Sequence, residues 1–416
     1  MELDKKFIET MIREHPRAPG DGGETLTRFD ACPKLFFGTD SLDALLRLPK
    51  EKAIVVTDPY MVKSGTVAEI TSRLAQNRIE HVIFSEIEPD PSIETVAAGL
   101  QVIFREKPGT VIALGGGSAI DATKAMLYFC LRFKSGLMET QYIHRPMFIA
   151  IPTTSGTGSE VTSYAVISDR LQGVKIPLRH RSMIPDVAIL DPHFTKTLPA
   201  SMVAYTGMDV LTHAIEAYVS PQSNDFTAMF AVEAARITLR SLPALYGDVQ
   251  DRTMREKMYS ASTMAGLAFT NSGLGLCHGI AHTIGAQYHI PHGKANAVVL
   301  PYVVLFNAGL GPYRRPGARA RYAQLARKLG MQAADDVELC QMMVLTARVL
   351  CEQFEIPTSL ADCDVPEDVF YGDMAQNIDK ILEDACTKAN PLDVNREDLR
   401  ALLDDLYRGV LTVFPK

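Results

Sequence analysis

Residues 110–124 read TVIALGGGSAIDATK, and this stretch decides the fold of the first half of the chain. An apolar run typical of a buried β-strand leads into the glycine triplet 115–117, and a helical pattern begins directly after it. Glycine lets the backbone approach a ligand without a Cβ clash, and the first N–H groups of a helix attract phosphate. The stretch therefore fits a phosphate loop and an ordinary tight strand–helix turn equally well, and the G-x-G-x-x-G fingerprint is absent.

The sequence on either side of this stretch alternates short strands with helices. Apolar runs of strand length occupy residues 53–57, 81–84, 110–114 and 147–151. Helical patterns occupy residues 62–75 and 93–106. Because buried strands that alternate with helices form parallel sheets, the pattern predicts a parallel α/β sheet from about residue 34 to about residue 189.

The pattern changes after residue 192, and helical periodicity continues from residue 199 to about residue 407. A chain of 416 residues is too long for one ordinary core, so two domains are expected. We predict an α/β dinucleotide-binding domain over residues 25–196 and an all-helical metal-binding domain over residues 197–416.

A short amphipathic helix and a linker rich in Pro and Gly precede these domains at residues 1–24. The apolar stripe of this helix consists of Leu3, Phe7, Ile8, Met11 and Ile12. Because the linker interrupts the pattern, we expect the helix to stand apart from the main fold.

The composition excludes several classes of protein. A net charge of −7 without a basic block argues against a nucleic-acid-binding protein. The longest apolar runs are too short to span a bilayer, and the N-terminus has no apolar signal core. The seven cysteines are scattered without a C-x-x-C pair, which is typical of reduced thiols. We expect a cytoplasmic protein that binds neither nucleic acid nor membrane.

A second polar loop, PTTSGTGSEVT at residues 152–162, follows the strand pattern at 147–151. It holds six hydroxyl residues in eleven positions, and ligands of parallel sheets bind at such strand ends. Asp58 ends another predicted strand, where its carboxylate can bind a ribose diol and repel a 2′-phosphate. These features favour a nucleotide site with NAD rather than NADP, although a solvated loop and a simple turn aspartate before Pro59 would also explain them.

The helical half carries two pairs of potential metal ligands at helical spacing. Asp209 and His213 lie four residues apart, and His278 and His282 repeat that spacing. His292 follows in the turn sequence PHG. One carboxylate and three imidazoles suit Fe(II) or Zn(II), and a set without thiolates favours a catalytic site over a structural one. Each histidine taken singly could instead be a hydrogen-bonded core or surface residue.

Four motifs together resemble the iron-containing (group III) alcohol dehydrogenases. They are GGGS at 115–118 with Asp121, PTTSGTGSEVT at 152–162, GMDVLTHAIEAYVS at 207–220 and CHGIAHTIGAQYHIPHGKANA at 277–297. The resemblance is closest to the alcohol dehydrogenase half of bifunctional aldehyde–alcohol dehydrogenases and to the propanol and ethanol dehydrogenases of bacterial microcompartments. It implies a dinucleotide-binding α/β domain, a helical metal domain and an active-site cleft between them.

The resemblance also implies a role for each motif residue. The implied metal ligands are Asp209, His213, His278 and His292. The implied cofactor-binding residues are Asp58, Gly116, Gly117, Ser118, Thr153, Thr154 and Lys175. His282 matches a histidine near the substrate that is proposed to transfer protons. NAD(H) and Fe(II), with Zn(II) as the alternative ion, are the implied cofactors.

The resulting prediction is an NAD(H)-dependent alcohol dehydrogenase that interconverts short-chain aldehydes and primary alcohols. The alternatives are a polyol dehydrogenase for glycerol or propanediol, a lyase similar to dehydroquinate synthase, and a non-catalytic assembly scaffold. We expect at least a homodimer. The helix within residues 1–20 resembles the encapsulation peptides of microcompartment enzymes. This resemblance predicts a shell or core protein as partner. The alternative is a helix that docks on its own subunit or frays.

Overall fold

The structure is a computed structural model that describes residues 5–14, 29–31, 33–137, 145–172, 174–313 and 317–413, with side chains of 134–137 excepted. The chain forms two compact units, Met1–Thr197 and Leu198–Lys416, and the boundary predicted from the sequence lies between residues 196 and 197. Within the described residues, no helix has both the length and the apolar character that crossing a bilayer requires.

The first unit combines strands with helices. Its strands are β1 (Lys34–Phe37), β2 (Ala53–Val56), β3 (His81–Phe84), β4 (Thr110–Gly115), β5 (Met147–Pro152), β6 (Tyr164–Asp169), β7 (Val174–Arg179) and β8 (Val187–Leu190). Its α-helices are α1 (Lys5–Glu14), α2 (Pro59–Lys63), α3 (Thr66–Gln76), α4 (Ile93–Glu106) and α5 (Gly117–Leu137). Short 3₁₀ segments cover Ser41–Arg47, Ser159–Val161, Arg181–Met183 and Pro192–Thr195.

Six of the strands form one sheet in the order β1-β8-β5-β4-β2-β3, and all neighbours are parallel. The predicted parallel sheet is confirmed. β6 and β7 form a separate antiparallel hairpin that the sequence analysis did not predict. The predicted helix over 62–75 is two helices, because the chain turns at Gly65 with φ +82°, a left-handed conformation that favours glycine.

The central strands are buried on both faces, which explains their continuous apolar character. Alternate side chains of a strand point to opposite faces, so Ile54 and Val111 join one core layer and Val55 and Ile112 join the other. The first layer is completed by apolar residues of α1, α4 and α5. The second layer is completed by α3 and the 3₁₀ segment Ser41–Arg47.

The N-terminal helix α1 is part of the first layer, and the expectation that it stands apart is wrong. Ile8 and Ile12 have no exposed surface and belong to the same core as α4 and α5. Arg13 lies against Glu94, and its Nε is 3.4 Å from Asp169 Oδ2. An amphipathic stripe needs an apolar surface to cover it, and here the chain itself supplies that surface. Leu3 and the predicted linker lie outside the described residues.

The second unit is helical, as predicted. Its α-helices are α6 (Ala200–Val219), α7 (Asp225–Gly247), α8 (Arg252–Ser272), α9 (Leu276–Tyr288), α10 (His292–Asn307), α11 (Arg319–Lys328), α12 (Asp336–Gln353), α13 (Glu367–Glu383), α14 (Ala385–Lys388) and α15 (Arg396–Arg408). A 3₁₀ segment covers Ala361–Cys363. The C-terminal half of α6 is buried on every side, and α7, α8 and α10 pack against this helix. The side chains in this half of α6 therefore contact neighbouring helices rather than solvent.

Candidate functional site

Three helices of the second unit bring the predicted metal ligands together. Asp209 and His213 share one face of α6, His278 lies on α9, and His292 is the first residue of α10. Gly293 explains how α10 can begin so close to α6, since a Cβ on this residue would lie 2.3 Å from the carbonyl oxygen of Tyr205. The glycine after His292 therefore permits the contact that delivers this ligand.

The four ligand atoms converge on one point. One atom from each of Asp209, His213, His278 and His292 lies within 4.8 Å of all the others. Asp209 Oδ1 is 3.9 Å from His213 Nε2, 3.7 Å from His278 Nε2 and 3.5 Å from His292 Nε2. The structure thus unites side chains that are up to 83 positions apart in the sequence, 292 minus 209.

Burial gives the ligands unequal access to solvent. Asp209, His213 and His278 are buried, whereas 43% of the His292 side chain is exposed. Burial lowers the pKa of His213 to about 3, so its imidazole is neutral and able to donate a lone pair to a metal. Burial alone would raise the pKa of Asp209, but the surrounding imidazoles of His213, His292 and His278 hold that pKa well below its usual range. The carboxylate is therefore ionised, as a metal ligand must be.

Two buried residues that the sequence analysis missed hold the ligands in place. Glu216 Oε2 accepts a hydrogen bond from Nδ1 of His278 at 2.6 Å, and its Oε1 accepts one from the Cys277 N–H at 2.7 Å. Asn296 Nδ2 donates to Asp209 Oδ1 at 2.8 Å and lies within 3.2 Å of Nε2 of His278 and within 3.1 Å of Nε2 of His292. Glu216 lies seven residues after Asp209, which is also the spacing of one helix face, and this was the signal available in the sequence.

Glu216 also changes the proton affinity of its partner. Burial lowers the pKa of His278, but Glu216 and Asp209 outweigh it and raise that pKa to about 9. A carboxylate that accepts from the distal nitrogen of a histidine fixes the ring and makes it a more basic ligand.

His282, although spaced like a ligand pair with His278, has a different partner. Its Nδ1 is 3.0 Å from Asp384 Oδ2, and its ring stacks on that of His292 with centroids 5.4 Å apart. Asp384 caps α14 by accepting the N–H of Cys386 on Oδ1 at 2.7 Å. The structure therefore places His282 beside the ligand set, with one ring nitrogen held by a carboxylate.

The two polar loops of the first unit lie at the C-terminal ends of the adjacent strands β4 and β5. Gly115 has φ +152°, and a Cβ on Gly117 would lie 2.9 Å from Cγ2 of Thr157. A Cβ on Gly116 would lie 3.5 Å from Cγ2 of Thr154, and the buried Thr153 donates its N–H to the Gly115 carbonyl at 3.0 Å. The glycine backbone and the start of α5 are thus held against the threonine-rich loop, with Ser118 in the first turn of that helix.

A buried lysine network fixes these loops to each other. Lys124 on α5 has no exposed surface, and its Nζ donates to Ser159 Oγ at 2.8 Å and Thr162 Oγ1 at 2.9 Å. Asp121, one turn earlier, accepts from Ser159 Oγ at 2.6 Å. Burial lowers the pKa of Lys124 to about 8 against the opposing effect of Asp121 and Glu160.

Asp58 lies at the point where the order of strands reverses. From the adjacent strands β2 and β4 the sheet grows in opposite directions, because β3 lies next to β2 whereas β5 and then β8 follow β4 on the other side. The crevice at the C-terminal ends of β2 and β4 is therefore a topological switch point, where open parallel sheets bind ligands. Asp58 follows β2 and caps α2 through Oδ1, which accepts the Met61 N–H at 2.9 Å. A Cβ on Gly115 would lie 3.6 Å from Asp58 Oδ2. Asp58 therefore adjoins the glycine loop.

Lys175 takes a different place from the other predicted cofactor residues. It lies on β7 of the hairpin, and its Nζ is 2.7 Å from Asp90 Oδ1 in an exposed ion pair. Its role at a cofactor stays a prediction.

Both units fit the groups that the sequence implies. Three imidazole nitrogens and one carboxylate oxygen, converging with one exposed ligand, form a donor set for Fe(II) or Zn(II) with an accessible side. Glycines that a side chain could not replace without moving a neighbour, followed at once by a helix start, form the cradle that a pyrophosphate needs.

Comparison with known proteins identifies the family. The chain matches the descriptions "Iron-containing alcohol dehydrogenase" over residues 32–192 and "Fe-containing alcohol dehydrogenase family, C-terminal" over residues 203–407. It is 39% identical over 385 residues to 1-propanol dehydrogenase PduQ of Salmonella typhimurium, covering 92% of this chain and 100% of that protein. The chain belongs to the iron-containing alcohol dehydrogenase family. It is accordingly an oxidoreductase that acts on a CH–OH group.

Other members of the family show the same extent of similarity. The NADPH-dependent butanol dehydrogenase of Clostridium saccharobutylicum is 35% identical over 392 residues, which cover 92% of this chain and 99% of that protein. The structure of an iron-containing alcohol dehydrogenase from Thermococcus thioreducens superposes with a TM-score of 0.82 at 31% identity, covering 92% of this chain and all of that one. The predicted family and fold are both confirmed.

Proposed function

We propose that this family member is an NAD(H)-dependent and divalent-metal-dependent dehydrogenase that interconverts short-chain aldehydes and primary alcohols. Acetaldehyde with ethanol and propionaldehyde with 1-propanol are the proposed pairs. The observation that carries the proposal is the convergence of Asp209, His213, His278 and His292 within 4.8 Å, with His292 exposed. The similarity to a 1-propanol dehydrogenase supports the size of the substrate.

Asp209, His213, His278 and His292 would hold the ion, and Glu216 would fix the orientation of His278 through its Nδ1. The ion, when bound, supplies a Lewis acid that stabilises negative charge on an oxygen. The buried side of the centre excludes water, which strengthens electrostatic interactions there. Fe(II) is the proposed ion and Zn(II) the alternative, because this donor set binds both and metal supply selects between them.

His282 is proposed to transfer the proton. In aldehyde reduction the carbonyl carbon gains a hydride and the oxygen gains a proton, so a group near the centre must deliver that proton. With Nδ1 of His282 held by Asp384 at 3.0 Å, its Nε2 is the nitrogen that can exchange a proton with substrate and solvent. His282→Gln should therefore lower kcat far more than it changes metal content, and equal losses of both would refute this role.

Gly116, Gly117 and Ser118 are proposed to bind the pyrophosphate of NAD, and Thr153 and Thr154 to contact its nicotinamide half. NADH, when bound, supplies the hydride; the residues around it serve to position it against the substrate carbon. The close contact between the glycine loop and the threonine loop supports this division.

Asp58 is proposed to select NAD over NADP, because its carboxylate would repel a 2′-phosphate. A relative named for NADPH makes this choice worth testing separately. Asp58→Ser removes the charge and keeps an oxygen that can cap α2, so folding should be preserved. We expect the variant to raise the ratio of kcat/KM for NADPH over NADH at least 10-fold, whereas an unchanged ratio would assign Asp58 to the cap alone.

The main test follows NADH consumption with acetaldehyde and propionaldehyde, with and without added Fe(II), in anaerobically purified protein. His292→Ala is the sharpest ligand variant, because this ligand is exposed and its loss should not unfold the unit. We expect it to lose both bound metal and turnover, while His193→Ala, in the other unit, keeps both. Turnover by a chain in which all four ligands are replaced would refute the proposal.

A polyol dehydrogenase on the same residues is the second candidate, and a panel of C2–C4 aldehydes with glycerol and propanediol separates the two. The non-catalytic scaffold is disfavoured by a complete and convergent ligand set. A homodimer and a location in a microcompartment stay predictions. Because Ile8 and Ile12 are covered by their own subunit, a shell protein could bind that stripe only after α1 is released. Unchanged co-sedimentation with shell protein after deletion of residues 1–20 would end the targeting idea.

A further inference from the structure

A second group of metal-ligating side chains lies beside the proposed centre. One donor atom from each of His282, Asp384 and Cys386 lies within 4.8 Å of the other two. The three side chains are half-buried. They offer one nitrogen, one oxygen and one sulfur, all of which are common ligands of zinc. The first centre, by contrast, has no sulfur donor.

The local packing holds these donors together. α14 lies directly on α9, since a Cβ on Gly279 would be 2.0 Å from Oγ1 of Thr387. Asp384 is the residue on which the other two donors meet. Its Oδ2 is 3.0 Å from His282 Nδ1, and it accepts hydrogen bonds from the backbone N–H and the thiol of Cys386. A tetrahedral zinc site needs donor separations of about 3.3–3.8 Å. Small side-chain rotations would therefore bring the three donor atoms of His282, Asp384 and Cys386 to these separations.

We propose that His282, Asp384 and Cys386 form a second, weaker site for a divalent ion with affinity for thiolate, and that its occupation inhibits the enzyme. Zn(II) is the ion that this donor set fits best. Two bonds form at the histidine and the carboxylate, and the third forms as the Cys386 thiol releases its proton to solvent. The first centre offers four donors and this one three, and here a thiol must lose its proton before it can bind, so we expect this site to be the weaker of the two.

The inhibitory consequence rests on the proposed function, because it requires His282 to act in proton transfer. An ion on Nδ1 takes the ring away from Asp384 and forces the remaining proton onto Nε2. The ring can then no longer accept a proton from an alcohol. The existence of the site does not depend on that role, and the two parts are tested separately.

The site is tested by adding Co(II) to holoenzyme that carries one Zn(II) per chain, in the tighter first centre, and recording the near-ultraviolet charge-transfer band of a cobalt–thiolate bond. Cobalt that exchanged into the first centre would give no such band, because Asp209, His213, His278 and His292 offer no sulfur. We expect the band in the wild type and in Cys363→Ser, which removes a half-buried thiol elsewhere, and its loss in Cys386→Ser. No band, or a band that survives in Cys386→Ser, would overturn the site.

A second measurement needs no variant. Zn(II) should slow alkylation of Cys386 in the wild-type holoenzyme at least 10-fold and leave that of Cys363 unchanged, as followed by peptide mapping. Equal protection of both thiols, or of neither, would overturn the site.

The inhibition is tested by turnover of an alcohol with NAD, the direction in which His282 must accept a proton. Zn(II) should inhibit the wild type reversibly and require at least a 10-fold higher concentration to inhibit Cys386→Ser. A cobalt–thiolate band with undiminished turnover would keep the site and refute the inhibition together with the role of His282. Loss of all turnover before any second ion is added would instead refute the proposed function and leave the spectroscopic result standing.

Discussion

Replacement of Glu216 by glutamine tests how far a residue that touches no substrate controls the metal centre. The carboxylate is 3% exposed and accepts two hydrogen bonds, from His278 Nδ1 at 2.6 Å and from the Cys277 N–H at 2.7 Å. An amide of the same size keeps one acceptor oxygen and turns an N–H₂ group towards the other donor. One buried donor is then unsatisfied, which costs about 1–3 kcal/mol of folding free energy.

The same change should weaken the metal site. Without its carboxylate partner, His278 is a less basic and less firmly oriented ligand, and losing such a partner lowers metal affinity by about 10–100-fold. Glu216→Ala leaves both donors unsatisfied and should cost about 2–6 kcal/mol of folding free energy. The glutamine variant is therefore the more informative one, because it is the better folded.

Two assays follow the prediction. Competition with a chromophoric chelator gives the affinity for Zn(II), and urea unfolding of the metal-free chain gives the free energy of unfolding. Glu256→Gln on the surface of α8 is the matched control and should change neither quantity measurably. If Glu216→Gln binds Zn(II) within 2-fold of the wild type, the carboxylate does not position His278 and the reasoning fails.

Three further predictions concern the first unit. Gly117→Ala brings a Cβ to 2.9 Å of a neighbouring methyl, and such overpacking costs about 1–3 kcal/mol, so the variant should raise KM for NADH at least about 5-fold. Gly116→Ala, whose Cβ would have an ordinary 3.5 Å contact, should raise this KM less. Equal KM values for the two variants would contradict the tight packing of the loop. Lys124 has a pKa of about 8 in the folded chain against 10.5 when exposed, so the unfolded chain holds the extra proton between these values. Its contribution to the free energy of unfolding grows as the pH rises through this window and is lost as the pH falls through 8. Urea unfolding should show that slope in the wild type and not in Lys124→Met, and parallel pH curves would exclude the effect. Ile12→Ala truncates a fully buried side chain and should lower the free energy that holds α1 on its unit by about 2–5 kcal/mol. We expect faster hydrogen exchange over residues 5–14 at unchanged turnover. Unchanged protection from exchange would show that other contacts hold α1.

Local patterns in the sequence predicted the parallel sheet of the first unit and the helical character of the second. Apolar strands such as β2 and β4 are continuous because both of their faces are buried, and this signal does not depend on distant residues. The hairpin of β6 and β7 gave no such continuous run, because most of β7 is exposed and one face of β6 is only half-buried, and polar residues and Pro177 interrupt the apolar ones.

The two histidine-containing helices show where local reasoning ends. His278 and His282 lie four residues apart on one face of α9, so spacing alone makes them equivalent ligand candidates. The structure separates them, because each one lies against a different carboxylate. His278 thereby meets Asp209, and His282 meets Asp384.

The sequence by itself determined the class of each unit and the residue types that can act as metal donors, since these depend on residue type and on short periodic spacing. Only the tertiary structure decided which donors converge, which carboxylates support them and which surface covers the amphipathic helix α1. The physical reason is that a period specifies which side chains share a face, whereas the partner of that face is chosen by packing between segments far apart in the chain. Lys124 is a further example. Nothing in the local sequence distinguishes it from an exposed helical lysine, and it is buried only because the threonine-rich loop packs against it.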